Sequence, residues 1–590
     1  MQDHSTRTDA RLRLSRRRLL GGMATLGAAG ALPALLAACG GSPATATTAP
    51  AAGATAAPTA TAAPITINQN ITPTPTTASS ASPAAGGAAG AASPTAAAAP
   101  TTAAPAGKAG GSFTFSRAAD SDNLDPVTQD GNVDIWIFMS IYDQLIRVAD
   151  DGLSLAPALA EKWEVSPDGL TYTFHLRQGV MFSDGTPLKA SDVVFSLMRA
   201  KTNQKSGWTF TLEPVKDITA PDDATVVVTL KQVWAPFLAD ISMFNSSIMS
   251  QDFVKKIGED KLVDQTLGTG PYVLAEWKKG EHILLKKNDK YWEKGLPLLD
   301  QITITTVPDD NNRILQLQGG EIDGMYDVPL NRVPDLKKDS KLQVKEFTST
   351  YNNFVVMNIR NAPLSDVKVR QALNYATDKQ SLINVINFGV GQISNSFMPN
   401  GALYWNKDQA GYPFDLDKAK ALMQQSTIPN GGKVAIQITQ GSAGGQALAT
   451  ALQQMWAKIG INLDIQPLEQ SVLTDNYRNN KFEMRASGWT NDIIDPDELV
   501  SYAILPQQTQ NYHTGWTNQQ AIDLANQGRT TTDDAKRRQI YYQIQQIHMD
   551  DAPFVYLYVL PYVDVLKTQV QGFFHHPMGQ WDFRKTTVAK

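Results

Sequence analysis

Alternating apolar and polar positions predict a β-hairpin near the start of the folded part of the chain. Leu170, Tyr172, Phe174 and Leu176 alternate with polar residues, which is typical of a strand with one buried face. The preceding segment, 166–169, reads Ser-Pro-Asp-Gly and has the residue types of a type I turn. We therefore expect this strand to pair with the segment before the turn.

Apolar residues at helical spacing predict a helix that begins at Ser191. The serine hydroxyl can accept a hydrogen bond from a free amide at the start of a helix. Leu197 and Met198 lie three and four residues after Val194, so we expect all three to be buried on one face.

Helical spacing also recurs in the second half of the chain. One helix is predicted near Asp366 and another over 533–549, and the apolar run 554–560 is typical of a buried strand. Strands and helices alternate without a fixed repeat length, which favours a mixed α/β fold over a solenoid or a propeller.

Length and composition predict more than one domain and restrict where a core can form. The chain has 590 residues, of which 42% are hydrophobic and 18% charged, which is too apolar for a disordered protein. Residues 40–107 contain no charged side chain or histidine, and all but six of these 68 positions are Ala, Thr, Pro, Gly or Ser. Such a segment cannot bury a core, so we assign 40–110 as a disordered tether.

The first 39 residues have the pattern of an export signal. Basic residues up to Arg18 precede a weakly apolar run that ends in Leu-Ala-Ala-Cys at 36–39. The paired arginines resemble a twin-arginine signal, although general secretion is equally compatible with them. The ending resembles a lipobox, in which the cysteine thiol takes a diacylglycerol. We therefore predict lipidation at Cys39; an uncleaved membrane helix over 19–38 is the alternative.

Charge and cysteine content narrow the kinds of partner and site. From Cys39 onward the chain has 46 basic and 55 acidic side chains, a net charge of −9, which argues against nucleic acid as a partner. Cys39 is the single cysteine of the sequence, so neither an intrachain disulfide nor a cysteine-based zinc site is possible.

Several short motifs, taken together, resemble one protein family. They lie at 163–180, 182–188 (Phe-Ser-Asp-Gly-Thr-Pro-Leu), 191–196, 268–272 (Gly-Thr-Gly-Pro-Tyr), 288–292, 369–373 (Val-Arg-Gln-Ala-Leu) and 488–489 (Gly-Trp). In this order they resemble the extracytoplasmic solute-binding proteins of the dipeptide, oligopeptide and nickel class, which serve ABC importers. The resemblance covers essentially all of 112–590, and the lipobox agrees with it because a receptor has to stay close to its membrane permease.

The resemblance implies both a fold and a role. We expect an α/β, two-lobed periplasmic-binding-protein-like fold with mixed sheets and three domains, and a ligand cleft between the lobes. Domain I would comprise 111–157, 268–355 and 556–590, domain II 158–267, and domain III 356–555. The implied role is that of a monomeric, non-catalytic receptor outside the cytoplasmic membrane, anchored through lipid on Cys39, which delivers its solute to an ABC transporter permease.

The resemblance also points to ligand-binding residues around the Gly-Trp pair. In peptide-binding relatives the tryptophan lines a side-chain pocket and a carboxylate three residues later binds the ligand's α-amino group. Trp489 and Asp492 occupy these positions. A ligand ammonium would give a buried carboxylate the cationic partner that it needs. The alternative is that Asp492 caps a turn or pairs with a neighbouring base.

A second candidate segment is Asp130-Gly131-Asn132. In relatives the equivalent loop lies in the cleft and offers backbone groups to an extended peptide. Gly131 would permit close approach, and Asp130 and Asn132 could hydrogen-bond a polar ligand. A solvent-exposed Asp-Gly turn is the alternative. Arg485 is displaced by one position from the arginine of oligopeptide binders, which gives no support to recognition of a ligand carboxylate.

Short peptides are therefore the predicted ligand class, with other solutes as alternatives. An oligosaccharide is the main competitor, because Trp405, Trp489 and Trp516 could stack on sugar rings. A nickel complex is a further alternative, since some family members carry one. No cofactor or metal site is expected, because adjacent histidines such as His575 and His576 rarely chelate one ion. We expect both to be surface or partly buried residues of the last strand region.

Other functional classes stay open at this point. Ser365 and Lys368 match the Ser-x-x-Lys motif of penicillin-recognising enzymes, and 121–123 supplies their Ser-Asp-Asn motif, but the order is reversed and Lys-Thr-Gly is missing. The acidic side chains of 492–497 could imitate a glycosidase carboxylate pair. A secreted hydrolase, which predicts turnover, is thus the alternative from another class, and a sensory receptor would share the same sequence features.

Overall fold

The computed structural model describes residues 109–129, 131–506 and 512–589. The predicted signal over 1–39, including Cys39, lies outside the described residues, as do nearly all of the predicted tether and Asp130. Within the described ranges, no helix is long and apolar enough to cross a membrane.

The strands are numbered in chain order. They are β1 (Ser112–Arg117), β2 (Ile146–Val148), β3 (Leu155–Pro157), β4 (Ala160–Val165), β5 (Thr171–Leu176), β6 (Val215–Asp222), β7 (Thr225–Leu230), β8 (Tyr272–Lys278), β9 (His282–Lys287), β10 (Gln301–Thr306), β11 (Gly324–Met325), β12 (Leu342–Phe347), β13 (Asn352–Met357), β14 (Gln392–Ile393), β15 (Gly432–Thr439), β16 (Ile461–Leu468), β17 (Met484–Trp489), β18 (Phe554–Val559), β19 (Tyr562–Lys567), β20 (Val570–Gln571), β21 (Phe574–His575), β22 (Trp581–Asp582) and β23 (Thr587–Val588).

The α-helices are numbered in the same way. They are α1 (Asn132–Ile141), α2 (Ala190–Thr202), α3 (Phe237–Asp240), α4 (Gln251–Ile257), α5 (Asp310–Gly319), α6 (Val333–Leu336), α7 (Val367–Tyr375), α8 (Lys379–Ile386), α9 (Leu416–Gln424), α10 (Ala443–Ala457), α11 (Gln470–Arg478), α12 (Asp497–Ala503), α13 (Gln519–Thr530) and α14 (Asp534–Asp551). Short 3₁₀ turns lie at Thr209–Leu212, Phe244–Ser246, Glu259–Lys261 and Leu330–Arg332.

The first sheet is mixed and has the order β12-β19-β11-β1-β10-β9-β8. Its central strand β1 runs parallel to β10 and β11, and the outer pairs are antiparallel. Phe113 and Phe115 of β1 are fully buried and pack with Trp581 and Phe583 from the C-terminal segment. The C-terminal segment therefore completes the core that begins at the N-terminal end of the described chain.

The second sheet is antiparallel, with the order β4-β5-β7-β6, and it confirms the predicted hairpin. The prediction for the helix beside it was wrong in detail. Helix α2 begins at Ala190, one residue before Ser191, and the Asp192 carboxylate accepts a hydrogen bond from the Lys189 amide at 3.0 Å. Leu197 is buried as expected, but Met198 is exposed. The face of α2 that packs on the core includes position 193, and Met198 lies outside that face.

The third sheet has the order β14-β18-β13-β17-β15-β16 and carries most of the C-terminal helices. The helix predicted near Asp366 is α7, and Asp366 caps it by accepting a hydrogen bond from the Lys368 amide at 2.9 Å. The predicted helix over 533–549 is α14, and the predicted buried strand is β18, in which every residue is buried.

Two short segments join the first and third sheets. Residues 348–351 connect β12 to β13, and residues 560–561 connect β18 to β19. The chain thus crosses twice between two sheets with separate apolar cores. This is the predicted α/β, two-lobed arrangement with mixed sheets.

Candidate functional site

Strand β17 carries the Gly-Trp pair into the interior of the third sheet. It pairs with β13 on one side and β15 on the other, and Gly488 lies opposite Asn353. A Cβ at position 488 would lie 2.8 Å from the Tyr351 ring and 3.2 Å from the Asn352 carbonyl oxygen, so only glycine fits this close approach. The strand ends at Trp489, and the loop 490–496 follows before α12 begins.

Glu498, in the first turn of α12, binds this loop to the tryptophan. Trp489 Nε1 donates to Glu498 Oε1 at 3.0 Å. The amides of Asp492 and Ile493 both donate to Glu498 Oε2, at 2.9 and 2.7 Å. The structure thereby brings Trp489 and Asp492 together through a carboxylate that our sequence analysis did not identify. Its signal in the sequence is a glutamate in the first helical turn, where carboxylates bind free amides.

Asp492 is a buried carboxylate without a cation beside it. Asp492 is only 8% exposed. Its carboxylate oxygens form no hydrogen bond or ion pair with the described residues. Burial alone raises the pKa of Asp492 to about 7. Burial, followed by the charge of Asp492, raises the pKa of Glu498 well above its ordinary value. Three N–H donors serve Glu498, so Asp492 is the member of the pair that lacks a stabilising partner.

The other acidic side chains of the loop are already paired. Arg537 binds both carboxylate oxygens of Asp495, at 2.5 and 2.8 Å. Arg529 binds Asp497 from Nε to Oδ1 at 2.7 Å. Two of the three carboxylates that could imitate a glycosidase pair therefore serve as anchors for guanidinium groups.

The second predicted segment forms the start of a helix instead of an open loop. Gly131 is the N-cap of α1 with φ −95°, and its amide donates to Gln129 Oε1 at 2.9 Å. Its carbonyl oxygen accepts the amides of Asp134 and Ile135, at 3.0 and 3.1 Å. The backbone groups of Gly131 are thus engaged within the chain, whereas the side chain of Asn132 is exposed.

A row of aromatic rings runs from Trp489 towards this second segment. The Trp489 and Tyr502 ring centroids lie 4.4 Å apart, Tyr502 and Phe210 6.4 Å, and Phe210 and Trp208 6.0 Å. Trp208 Nε1 then donates to the carbonyl oxygen of Gln129 at 3.2 Å. The row connects the two predicted ligand-binding segments.

A cavity of about 470 Å³ lies beside the loop that carries Asp492. Its lining residues are 150–153, 346–350, 400–403, 491, 493–494, 574–575 and 577–578. Asn491 and Ile493, on either side of Asp492, are among them, whereas Trp489, Asp492, Gly131 and Asn132 are not. The carbonyl oxygen of the Asn491 side chain is buried and lacks a hydrogen-bond partner among the described residues. The volume is that of a small-ligand pocket.

The other aromatic and basic candidates have structural roles. Trp516 is only 2% exposed and donates from Nε1 to Asp551 Oδ2 at 2.8 Å, which counts against the alternative that it stacks on a sugar ring. Trp405 Nε1 donates to Asn395 Oδ1 at 2.7 Å. The Arg485 guanidinium lies over the Tyr477 ring, 4.6 Å from its centroid.

The two adjacent histidines are fully or almost fully buried, which corrects the prediction of surface or partly buried positions. His575 is fully buried, with Nδ1 2.7 Å from Asp564 Oδ2 and its ring stacked on Tyr562 at 4.0 Å. His576 is 2% exposed, and burial lowers its pKa. Among the described residues, no group of three His, Cys, Asp or Glu side chains is arranged to hold a metal ion.

Comparisons with known proteins agree with this architecture. The family model described as "Bacterial extracellular solute-binding proteins, family 5 Middle" matches residues 154–511. The chain is 30% identical to the dipeptide-binding protein of Escherichia coli, over 76% of this chain and 89% of that protein. It is also 30% identical to heme-binding protein A of Haemophilus influenzae, over 76% and 87%.

A solved structure shares both fold and sequence. The ABC transporter-associated periplasmic binding protein DppA from Helicobacter pylori, in complex with the peptide STSA, has a TM-score of 0.70 and 30% identity. The match covers 82% of this chain and 99% of that chain. Since the family model spans more than half of its length, this chain belongs to family 5 of the bacterial extracellular solute-binding proteins.

Proposed function

We propose that this protein is a receptor for short peptides with a free amino terminus, which it delivers to an ABC transporter permease. Asp492 binds the peptide α-ammonium group, and Trp489 lines the pocket for the neighbouring side chain. The observation that carries the proposal is the buried Asp492 carboxylate without a cation. A ligand ammonium would supply its missing charge-assisted hydrogen bonds when the lobes close.

The surroundings of the cavity support a cationic ligand group. Its charged lining residues include Asp150, Asp151 and Glu346, and no lysine or arginine. Asp150 is 3.1 Å from Lys585 Nζ, Glu346 is 2.7 Å from Lys337 Nζ, and Asp151 accepts hydrogen bonds from the amide and hydroxyl of Ser154, so these carboxylates already have partners. Asp492 is the carboxylate beside this cavity that a ligand would have to neutralise. Relatives named for dipeptide and glutathione binding support a peptide ligand further.

The test is a calorimetric titration with di- to tetrapeptides and with the same peptides after N-acetylation. Free peptides should bind saturably, and acetylated peptides should bind at least tenfold more weakly, because acetylation removes the ammonium charge. Asp492→Asn should weaken binding of the free peptide by a similar factor and leave acetylated peptides unaffected. Asp475→Asn, an exposed aspartate on α11, is the matched control.

Equal affinity for free and acetylated peptides would overturn ammonium capture. Saturation by oligosaccharides alone would replace the ligand class and keep the receptor. We further propose that the protein does not hydrolyse its ligand; Lys368 Nζ contacts Gln425 Oε1 at 3.4 Å instead of serving Ser365. Mass spectrometry of peptides after long incubation should show intact ligand, and cleavage products would favour the hydrolase.

Anchoring and domain closure are parts of the same proposal. We infer that lipid on Cys39 holds the receptor at the outer face of the membrane, and that Cys39→Ser moves it from the membrane fraction into the soluble extracytoplasmic fraction. We place the hinges at 348–351 and 560–561, near the predicted limits of domains I and III. Retention of the Cys39→Ser protein in the membrane fraction would contradict the lipid anchor.

A further inference from the structure

The second sheet contacts the helices of the third sheet through a short segment before α3. The Ala235 amide donates to the carbonyl oxygen of Arg529 at 2.7 Å. The Arg529 guanidinium lies over the Trp234 ring, 5.0 Å from its centroid. Trp234 packs with the core of the second sheet, whereas Arg529 lies in the last turn of α13 beside the third sheet. These contacts therefore join two separately packed parts of the molecule.

A buried group of charges lies at this contact. Asp240, at the end of α3, is 4% exposed, and the charges of Asp497, Asp495 and Arg529 on the other side of the contact act on it. Arg537 completes the group through its two hydrogen bonds to Asp495. The group thus contains three carboxylates and two guanidinium groups.

The carboxylate in excess is Asp240. Arg537 holds Asp495, and Arg529 holds Asp497 and also donates to Ser501 Oγ at 2.6 Å. The Asp240 carboxylate receives one hydrogen bond in the described chain, from Trp234 Nε1 to Oδ2 at 2.9 Å. An unneutralised carboxylate in such a site is costly, and the charge of Asp497 adds to the cost. Burial first, and then this neighbouring charge, raises the pKa of Asp240 well above its ordinary value.

We propose that Asp240 makes closure of the cleft dependent on protons: the second sheet closes onto α12 and α13 with this carboxyl protonated. When the two parts separate, Asp240 becomes accessible to water, and the distance between Asp240 and Asp497 increases. Asp240 then ionises with the pKa of an ordinary surface aspartate. Closure therefore takes up one proton, and acid favours the closed form whatever solute the cleft binds.

The direction of the pH dependence of closure follows from proton linkage. Asp240 has the higher pKa in the closed form, so the closed form binds more protons between the two pKa values. In that interval the ratio of closed to open molecules rises about tenfold for each unit by which the pH falls. Below the open-state value both forms are protonated, and the ratio becomes constant.

The test measures closure without ligand. Small-angle X-ray scattering of the full chain, freed of solute by unfolding and refolding, gives the radius of gyration between pH 8 and pH 4.5. The wild type should contract as the pH falls. Asp240→Asn keeps an acceptor for Trp234 Nε1 and carries no charge, so it should be compact throughout. Asp217→Asn, an exposed aspartate of the second sheet, should behave like the wild type.

Because no peptide is present, the result does not depend on the proposed ligand. A radius of gyration independent of pH in the wild type, or an Asp240→Asn protein that keeps the wild-type pH dependence, would overturn the proposal. Circular dichroism at each pH identifies any expansion that comes from unfolding. Amide hydrogen exchange at Ala235, corrected for the intrinsic pH dependence, gives a second measurement: protection should increase as the wild type closes.

Discussion

Trp489 and Glu498 are joined by a hydrogen bond of 3.0 Å from the indole Nε1 to the carboxylate Oε1. The tryptophan ends a strand and the glutamate begins a helix, so this bond closes the loop between them into a ring. The second oxygen of Glu498 holds the amides of Asp492 and Ile493 inside the same ring. The position of Asp492, the proposed ligand-binding carboxylate, therefore depends on a residue that we do not expect to touch the ligand.

Glu498→Gln should loosen this loop without removing it. Glutamine replaces one acceptor oxygen by an NH₂ group, which cannot accept from the loop amides or the indole. An unmatched buried donor costs about 1–3 kcal/mol, so we expect a loss of this size in the free energy of unfolding and about tenfold weaker peptide binding. Urea unfolding and calorimetry measure the two effects. Glu469→Gln, on an exposed glutamate, should change neither, and unaltered binding in Glu498→Gln would separate Glu498 from the site.

Peptide affinity should decrease as the pH is lowered, because Asp492 becomes protonated. A bound ammonium favours the ionised carboxylate, so a proton competes with the ligand below the free pKa of about 7. Affinity should then fall by up to about tenfold per pH unit from pH 7 to pH 5. Proton uptake at Asp240 would oppose this trend, so the peptide affinity should be measured as a function of pH in the Asp240→Asn protein. The slope should vanish when Asp492→Asn is added; a slope that survives would assign the titration to another group.

Local patterns predicted the elements of the fold better than their ends. The hairpin over β4 and β5 follows from strict alternation, and β18 from an unbroken apolar run, because both patterns report burial directly. The start of α2 was displaced because two capping groups stand side by side. The Asp192 carboxylate reaches the Lys189 amide and fixes the start before Ser191.

The family motif pointed to two of the candidate site residues, and the rest of their surroundings came only from the structure. Trp489 and Asp492 lie together, but the role of Glu498 depends on how the chain folds back after the loop. The contact of Ala235 and Trp234 with Arg529, which brings Asp240 under the influence of the Asp497 charge, joins parts of the chain that are distant in sequence. Trp516 shows the converse: the sugar alternative used it as an exposed aromatic ring, but it is buried and donates a hydrogen bond to Asp551.

Breaking the buried pair of Arg537 and Asp495 should lower the free energy of unfolding far more than breaking an exposed pair nearby. Arg537→Met leaves the Asp495 carboxylate buried without a cation, which costs about 3–5 kcal/mol of unfolding free energy. Adding Asp495→Asn should recover part of this loss, since it removes the unpaired charge. Arg538→Met breaks the exposed pair with Asp534 and should cost less than about 1 kcal/mol. Equal losses in the two arginine variants, measured by urea unfolding, would contradict this assignment.

His548 should make the fold less stable in acid. It is fully buried among aromatic rings, with Nδ1 2.7 Å from the Tyr556 hydroxyl, and burial lowers its pKa to about 3. In the unfolded chain a histidine titrates near 6.5, so between these values the unfolded state binds a proton that the native state does not. Its contribution to stability is complete above pH 6.5 and is lost as the pH falls towards 3. At pH 5 the loss is about 2 kcal/mol.

The comparison with His548→Asn isolates this contribution from the many buried carboxyl groups, which titrate in both proteins. Asparagine keeps a polar atom near the position of Nδ1 and does not titrate. The variant is expected to be less stable than the wild type at pH 7.5, because the smaller side chain leaves a cavity. The difference between the two proteins should shrink by about 2 kcal/mol at pH 5, since only the wild type has a histidine to protonate on unfolding. Urea unfolding at the two pH values measures it, and an unchanged difference would mean that His548 is protonated in the native state.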